Sequence, residues 1–461
     1  MPLPFYWQSD GIVARVALVL CGVVFLVLVL RRFRRERVIA RLLPAAVLWH
    51  FMVWALNAFW LFPYYVSVTG VDCYGYHHDG ITIAKMIRSG DWASILWGWN
   101  TAAMPIITGF LYVPFGGDIY GVLFFSAVLG LCGGLYFCRA FGLWARPAQM
   151  RRYALIILFL PSFVIWTSSF GKDSWMALGL GLAAYGYSSV LKLGGTGLWH
   201  LLAGVAITTV VRPHVAVTLA ASMALAYVWG LTRARHVSIL VKVQMVVALI
   251  AMLALLASVA RGFLKLSDVS AESLQEYGES RSARNATGGS AVEIGAAPGL
   301  AGTLVAFPRG IVRVLFQPFP WEVHSVSAGM AAGENLFILW FVLSHLRRLR
   351  PLLRGMVREP YVLFSSILAS GLLLMFSLTP NLGLLSRERA QLLPFLFGLL
   401  VTAEAVRKRG TRLARMTARA GWPYSQGRTL SGTQTALPSK SANCRIPPSP
   451  LRTHGHRLDI S

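Results

Sequence analysis

Apolar residues along this chain fall into runs separated by arginine-rich clusters, and the order of the two implies a membrane topology. Runs of roughly 17 to 25 apolar residues are long enough to cross about 30 Å of hydrocarbon as helices. Flanks enriched in Lys and Arg stay on the cytoplasmic side. Basic blocks stand at residues 31–41, 139–152, 233–242, 347–358 and 407–419. Pairs of apolar segments separate successive blocks, so every block can be cytoplasmic and every polar loop between blocks external.

Spans are predicted over residues 11–30, 42–68, 119–141, 153–168, 175–191, 198–211, 215–231, 239–260, 330–345, 361–378 and 390–406, which makes about eleven crossings. Residues 101–115 are apolar but short and interrupted by Pro105 and Pro114. A full crossing there would put the block at 139–152 outside, so they read as an interfacial or re-entrant piece. The stretch 81–99, with Trp92, Trp97 and Trp99, fits helices lying flat on the outer leaflet. The first run precedes its basic cluster and is followed by no small-residue cleavage site, as an anchor with its N-terminus outside would be. From about residue 410 the chain is rich in Arg, Ser, Thr, Pro and Gly without apolar periodicity, which predicts a disordered cytoplasmic tail. The expected architecture is an all-α polytopic helix bundle with amphipathic external helices. Residues 1–41 are expected to form an anchor helix and basic segment, 42–406 the multi-helix membrane domain and 407–461 the tail.

Composition sharpens this picture. The 461 residues are 56% hydrophobic and 13% charged, with a mean hydropathy of +0.59, too apolar for an ordinary soluble protein. The formal net charge of +25 lies mostly in the cytoplasmic flanks and tail, where topology and anionic lipid headgroups account for it; nucleic acid is not an expected partner. Cys21, Cys73, Cys132, Cys138 and Cys444 show no metal or redox spacing.

The unusual residues lie in the predicted external loops. Asp72-Cys-Tyr-Gly-Tyr-His77-His78-Asp79 concentrates two carboxylates and two imidazoles at the end of a span. A carboxylate at the edge of a low-dielectric slab can act as a general base or hold a cation; a hydrated loop is the alternative. A divalent cation is the one cofactor such acids could hold. Lys172 and Asp173 occupy a very short turn, where a snorkelling Lys and an N-cap Asp would also fit. Arg212-Pro213-His214 interrupts a long apolar stretch; the proline breaks the helix, and the arginine is costly in lipid unless it meets an anion. Arg309 and Arg313 share a helical face, and Arg387 and Arg389 stand outside the last span. These cations collect on the side that topology alone would leave poor in positive charge, which points to an external anion-binding cavity.

This pattern resembles the membrane glycosyltransferases of the C class (the GT-C superfamily), many-helix enzymes that take sugars from polyprenyl-phosphate donors on the non-cytoplasmic face. The resemblance covers roughly residues 42–406. It implies that Asp72 or Asp79, with His78 beside them, serves the reaction centre, that residues 81–115 are its flat helices, and that Asp173 is a second external acid. Lys172, Arg212, His214, Arg309, Arg313, Arg387 and Arg389 would bind the donor phosphate. The chain departs from the family in lacking its frequent acidic pair and in carrying an extra helix ahead of the first large loop. Lipid-linked polysaccharide polymerases and O-antigen ligases fit the same external arginines. The implied partners are a polyprenyl-phosphate-linked sugar donor, a glycan or lipid acceptor and membrane lipids, in a bacterial inner or plasma membrane with the C-terminus cytoplasmic. A transporter or flippase of an anionic lipid is the reading of a different class; it would want ionisable residues deep in the membrane and broken helices in both halves.

Overall fold

Every regular element among the described residues is helical. The structure is a computed structural model describing residues 11–64, 72–92, 103–193, 196–233, 299–323, 326–345, 359–377, 379 and 381–419, with Val243, Ile250, Ala254 and Ser258 as isolated positions. Apart from those positions, the span expected over 239–260 lies outside the described residues, as do Trp97, Trp99 and the tail beyond 419. The chain divides into compact units Met1–Thr411 and Arg412–Ser461, and all the side-chain packing below belongs to the first.

Helix α1 (Ile12–Phe33) is followed by α2 (Arg37–Leu56), which runs on through a π turn, Asn57–Leu61. Val16, Leu20, Val24 and Leu28 repeat every fourth residue along an exposed stripe of α1, an apolar face suited to lipid. Helices α3 (Asp72–Ser89) and α4 (Ala103–Phe115) pack on each other. Arg88 donates to the carbonyls of Tyr112 at 2.7 Å and Val113 at 2.9 Å, joining the Gly116 N–H that the Tyr112 carbonyl already accepts at 2.8 Å at the end of α4. Asp118 caps α5 (Ile119–Gly142) by accepting the Gly121 N–H at 2.7 Å and is held in turn by Arg15 at 3.1 Å.

A single span expected over 153–168 is two helices, α6 (Pro147–Phe159) and α7 (Pro161–Thr167), bent by 53°. Pro161 has no N–H to continue the ladder. The open N-terminus of α7 is instead capped from a distant helix: Glu334 accepts the Ser162 backbone N–H at 2.6 Å and the Ser162 hydroxyl. A carboxylate suits that site because the N-terminal amides carry partial positive charge.

Helix α8 (Lys172–Leu193) lies against α5 on one side and α9 (Leu198–Val211) on the other. Glycines allow the close approach. A Cβ at Gly133 would stand 2.5 Å from the Ala177 carbonyl oxygen, and one at Gly181 would stand 2.5 Å from that of Gly133. The remaining elements are α10 (Pro213–Arg233), α11 (Gly299–Phe316), a 3₁₀ turn (Pro320–Glu322), α12 (Val326–His345), α13 (Pro360–Ser377) and α14 (Leu382–Arg419).

By length and composition, five of the described helices can cross a membrane, or six if the bent α6–α7 pair is one span. The full set of eleven is not reached by that measure. Helix α9 is short, with 14 residues, and α12 carries Glu334 and Asn335 in its middle; α4, at 13 residues, is likewise short, in keeping with its expected reading as a piece that does not cross.

The two ends of the bundle differ in chemistry. At one end the basic segments 31–41 and 139–152 meet: Arg139 pairs with Glu36 at 2.8 Å, Lys192 stands over the Trp144 ring at 4.2 Å, and Gln149 donates to the Val401 carbonyl at 3.3 Å. The opposite end receives the starts of α5, α8 and α14 and the ends of α9 and α13. Gly133→Val should lower stability by about 1–3 kcal/mol through overpacking against backbone, read as earlier loss of monodisperse protein on heating in mild detergent. Gly230→Ala, whose Cβ would meet only the Pro360 side chain at 3.6 Å, should be tolerated; equal tolerance of both would contradict the α5–α8 contact.

Candidate functional site

At the end of the bundle opposite the basic segments, Asp173 is the centre of a line of charges. It is the second residue of α8, not an N-cap, and is 2% exposed. Its Oδ1 accepts from Arg212 Nη2 at 3.1 Å, and its Oδ2 accepts from Arg387 Nε. The first turn of α8 adds its own dipole to this cationic surround.

Local backbone delivers each partner. Arg212 precedes Pro213, which disfavours helical geometry for it, and its φ of −144° with ψ of 81° ends α9 there. The side chain thereby leaves the helix surface and is buried against Asp173. Arg387 sits in the second turn of α14 and passes beside Gly171, where a Cβ would stand 3.1 Å from Arg387 Nη2. A glycine at 171 thus makes room for the guanidinium.

The line continues on both sides. Arg387 Nη1 donates to Asp72 Oδ2 at 3.1 Å, at the first turn of α3. In the other direction Arg212 Nη1 lies 3.9 Å from Glu388 Oε1, Glu388 Oε2 accepts from the Thr379 hydroxyl at 2.8 Å, and the Thr379 carbonyl accepts from Arg313 Nη2 at 2.9 Å. Arg389 is fully buried and donates Nη1 to the Leu315 carbonyl at 3.3 Å. Its Nε and Nη2, and Arg313 Nε, have no hydrogen-bond partner among the described residues.

Lys172 and Tyr76 flank the line, the ammonium 6.0 Å from the Tyr76 ring centre. Burial, and behind it Arg212, push the Lys172 ammonium below the ordinary lysine value. Burial, reinforced by Asp72, pushes the Tyr76 phenol up, and burial raises the Cys73 thiol to about 12. Burial alone would lower the Arg387 guanidinium, but Asp173 and then Asp72 outweigh it and hold it above its ordinary value.

Of the residues expected from sequence, Asp72, Lys172, Asp173, Arg212, Arg313 and Arg387 come together here. Others do not join the line. Asp79 and His78 are exposed and paired with each other at 3.4 Å, while His77 points inward to the Tyr112 hydroxyl at 2.8 Å, as adjacent positions on a helix require. Arg309 is exposed one turn before Arg313, and His214 is half-buried in the first turn of α10. Sequence reasoning passed over Glu388, Thr379, Tyr76 and Glu334. An acid inside the apolar run 330–345 was the available signal for Glu334, since intramembrane ionisable residues are rare and usually functional. Among the described residues, no three His, Cys, Asp or Glu side chains stand close enough to hold a metal ion.

Cations outnumber carboxylates in this cluster even when Glu334, whose field reaches Arg389, is included. Such a site can exchange an internal carboxylate for an anionic ligand with several acceptor oxygens. Comparison with protein-family models, curated proteins and solved structures finds no match to this chain.

Two predictions follow from burial. Asp173→Asn takes the carboxylate from buried Arg212 and partly buried Arg387 and should cost about 3–5 kcal/mol, whereas Asp72, whose side chain is 62% exposed, should cost less than about 1 kcal/mol as Asn. Unfolding in mild detergent would show that ranking, and equal losses would contradict it. Because folding lowers the Lys172 pKa, the unfolded chain holds that proton more tightly. Stability should therefore rise with pH between the lowered value and the ordinary 10.5, and Lys172→Gln should flatten that rise; an unchanged pH profile would refute the assignment.

Proposed function

We propose that this chain is a membrane glycosyltransferase of the GT-C kind, moving a sugar or glycan from a polyprenyl-phosphate or -diphosphate carrier to an acceptor hydroxyl in cell-envelope polysaccharide or glycolipid assembly. The observation that carries the reading is the convergence of Asp72, Lys172, Asp173, Arg212 and Arg387 at the end opposite the basic segments. With those segments cytoplasmic, as the positive-inside bias directs, the cluster faces the exterior and the C-terminus the cytoplasm of a bacterial inner or plasma membrane.

In the reaction, the acceptor oxygen bonds to the anomeric carbon as the bond from that carbon to the carrier phosphate oxygen breaks. The bond's electron pair leaves on the phosphate, and the hydroxyl proton passes to a carboxylate. Asp72 suits the proton acceptor: it is exposed and engages Arg387 through one oxygen. Asp173, with each oxygen on an arginine, suits the role of orienting Arg212 and Arg387 toward the leaving phosphate. Asp79, paired with His78 away from the arginines, is the weaker candidate for the base.

A flippase for the same carrier lipid is the second reading, favoured by the helix break at Pro161 and by Glu334 within α12. Incubating purified protein with labelled polyprenyl-phosphate and -diphosphate sugars separates the two: consumption of donor supports the enzyme, and movement across vesicles without consumption supports the flippase. Asp72→Asn should reduce turnover about 10²- to 10⁴-fold, with Asp79→Asn near wild type; normal turnover in Asp72→Asn would remove it as the base. Arg387→Lys should weaken carrier binding by about 1–2 kcal/mol, since the ammonium loses the planar two-pronged contact with phosphate. Unchanged affinity in both Arg212→Ala and Arg387→Ala would sink the phosphate assignment.

A further inference from the structure

Directly after α11, whose Arg313 and Leu315 carbonyl join the charged cluster, the chain makes a rigid aromatic turn. The rings of Phe319 and Trp321 stack 4.7 Å apart and 9° from parallel. Trp321 is 77% exposed, so Phe319 backs one face of the indole and the other is open. The turn is locked from within and from behind. Glu322 accepts the Phe319 N–H at 2.8 Å and the Gln317 side-chain N–H at 2.9 Å, and Asn335 of α12 donates to the Pro318 carbonyl at 3.0 Å. Pro318 and Pro320 further restrict its backbone. An exposed ring is thereby held in one orientation before any ligand arrives, which removes much of the ordering cost of using it.

Exposed tryptophans on the apolar helices have a different setting, while Trp92, beside Asp91, is only tilted 34° against Phe110 at 6.2 Å. Trp60, Trp199 and Trp340 project from the sides of apolar helices, as residues facing lipid or its interface do. Trp321 instead belongs to a turn next to Glu322, whose carboxylate is costly to bury in hydrocarbon, so its open face suits water. A flat, electron-rich face next to hydrogen-bonding groups matches a pyranose ring, whose axial C–H bonds point their positive ends at the π system while its hydroxyls reach polar neighbours.

We propose that Trp321, backed by Phe319, is the stacking platform for a sugar ring of the carrier-linked substrate, an inference that rests on the glycosyl-carrier reading above. Arginines around Asp173 hold the phosphate, and the platform distinguishes a loaded carrier from an empty one. Its test is binding to the full-length protein in nanodiscs of a panel of polyprenyl phosphates and diphosphates, bare or carrying one hexose or N-acetylhexosamine. Wild type should hold at least one sugar-bearing lipid more tightly than its bare carrier. Trp321→Ala should lose that preference, about 3- to 10-fold, with bare-carrier affinity unchanged, which also shows the variant to be folded. Trp321→Phe should keep most of it. Equal wild-type affinity for loaded and bare carriers, or an equal loss of both in Trp321→Ala, would overturn the platform while leaving the phosphate site standing. Quenching of Trp321 by brominated lipid, in a variant with the other tryptophans replaced, would make it a membrane anchor and overturn the platform likewise. Failure of wild type to bind any carrier would overturn both readings.

Discussion

The pairing of Asp173 with Arg212 and Arg387 is the interaction on which the charged end of this molecule depends. Two guanidiniums and a carboxylate are withdrawn from water, and each is bearable only because the others are present. The same contact ties the start of α8 to the α9–α10 break and to the start of α14, segments up to 214 residues apart in sequence. Glu388 and Thr379 then extend the tie to the end of α13, and Arg313 to α11. A set of helix ends that would otherwise repel one another through unpaired charge becomes one surface.

That surface is graded. Asp173 and Arg389 are enclosed, Arg387 is intermediate, and Asp72 stands at the rim. Charges deep in the cluster act as fixed furniture, whereas those at the rim can change partner at small cost. On the proposed reading, an anion approaching Arg387 would compete first with the more exposed Asp72 and leave the Asp173 framework in place.

Much of this was legible along the chain because hydrocarbon imposes a length and a sidedness on sequence. The span 198–211 coincides with α9, and the predicted edges of α5, α8 and α13 agree with the observed helices to within about three residues, well inside the ordinary uncertainty of helix ends. Arg212 stood out by interrupting an apolar stretch, Asp72 by its cluster of acids and imidazoles beside a span, Lys172 and Asp173 by their short turn, and Arg387 by lying on the side expected to be poor in positive charge. What the chain could not disclose is who meets whom: helical periodicity reports a face, but the partner on another helix is unrelated to sequence spacing. So Glu388, lying between two arginines, gave no sign along the chain that its carboxylate turns to Thr379 and Arg212. Likewise, Asp79 and Asp72 looked equivalent in sequence, and only the packing of α3 sends one toward Arg387 and leaves the other with His78.

The cap that Glu334 places on α7 has a consequence for biogenesis. Ser162 leaves the ribosome 172 residues ahead of its acceptor, and a helix start in hydrocarbon keeps unsatisfied amides at a cost of several kcal/mol. Until α12 is inserted, α6 and α7 have no route to their bent arrangement that satisfies Ser162 as Glu334 does. The segment around Ser162 therefore cannot reach its final form as it is made; it waits in an unfinished state for a helix translated well after it, and truncations before residue 334 should be recognised by membrane quality control as misassembled.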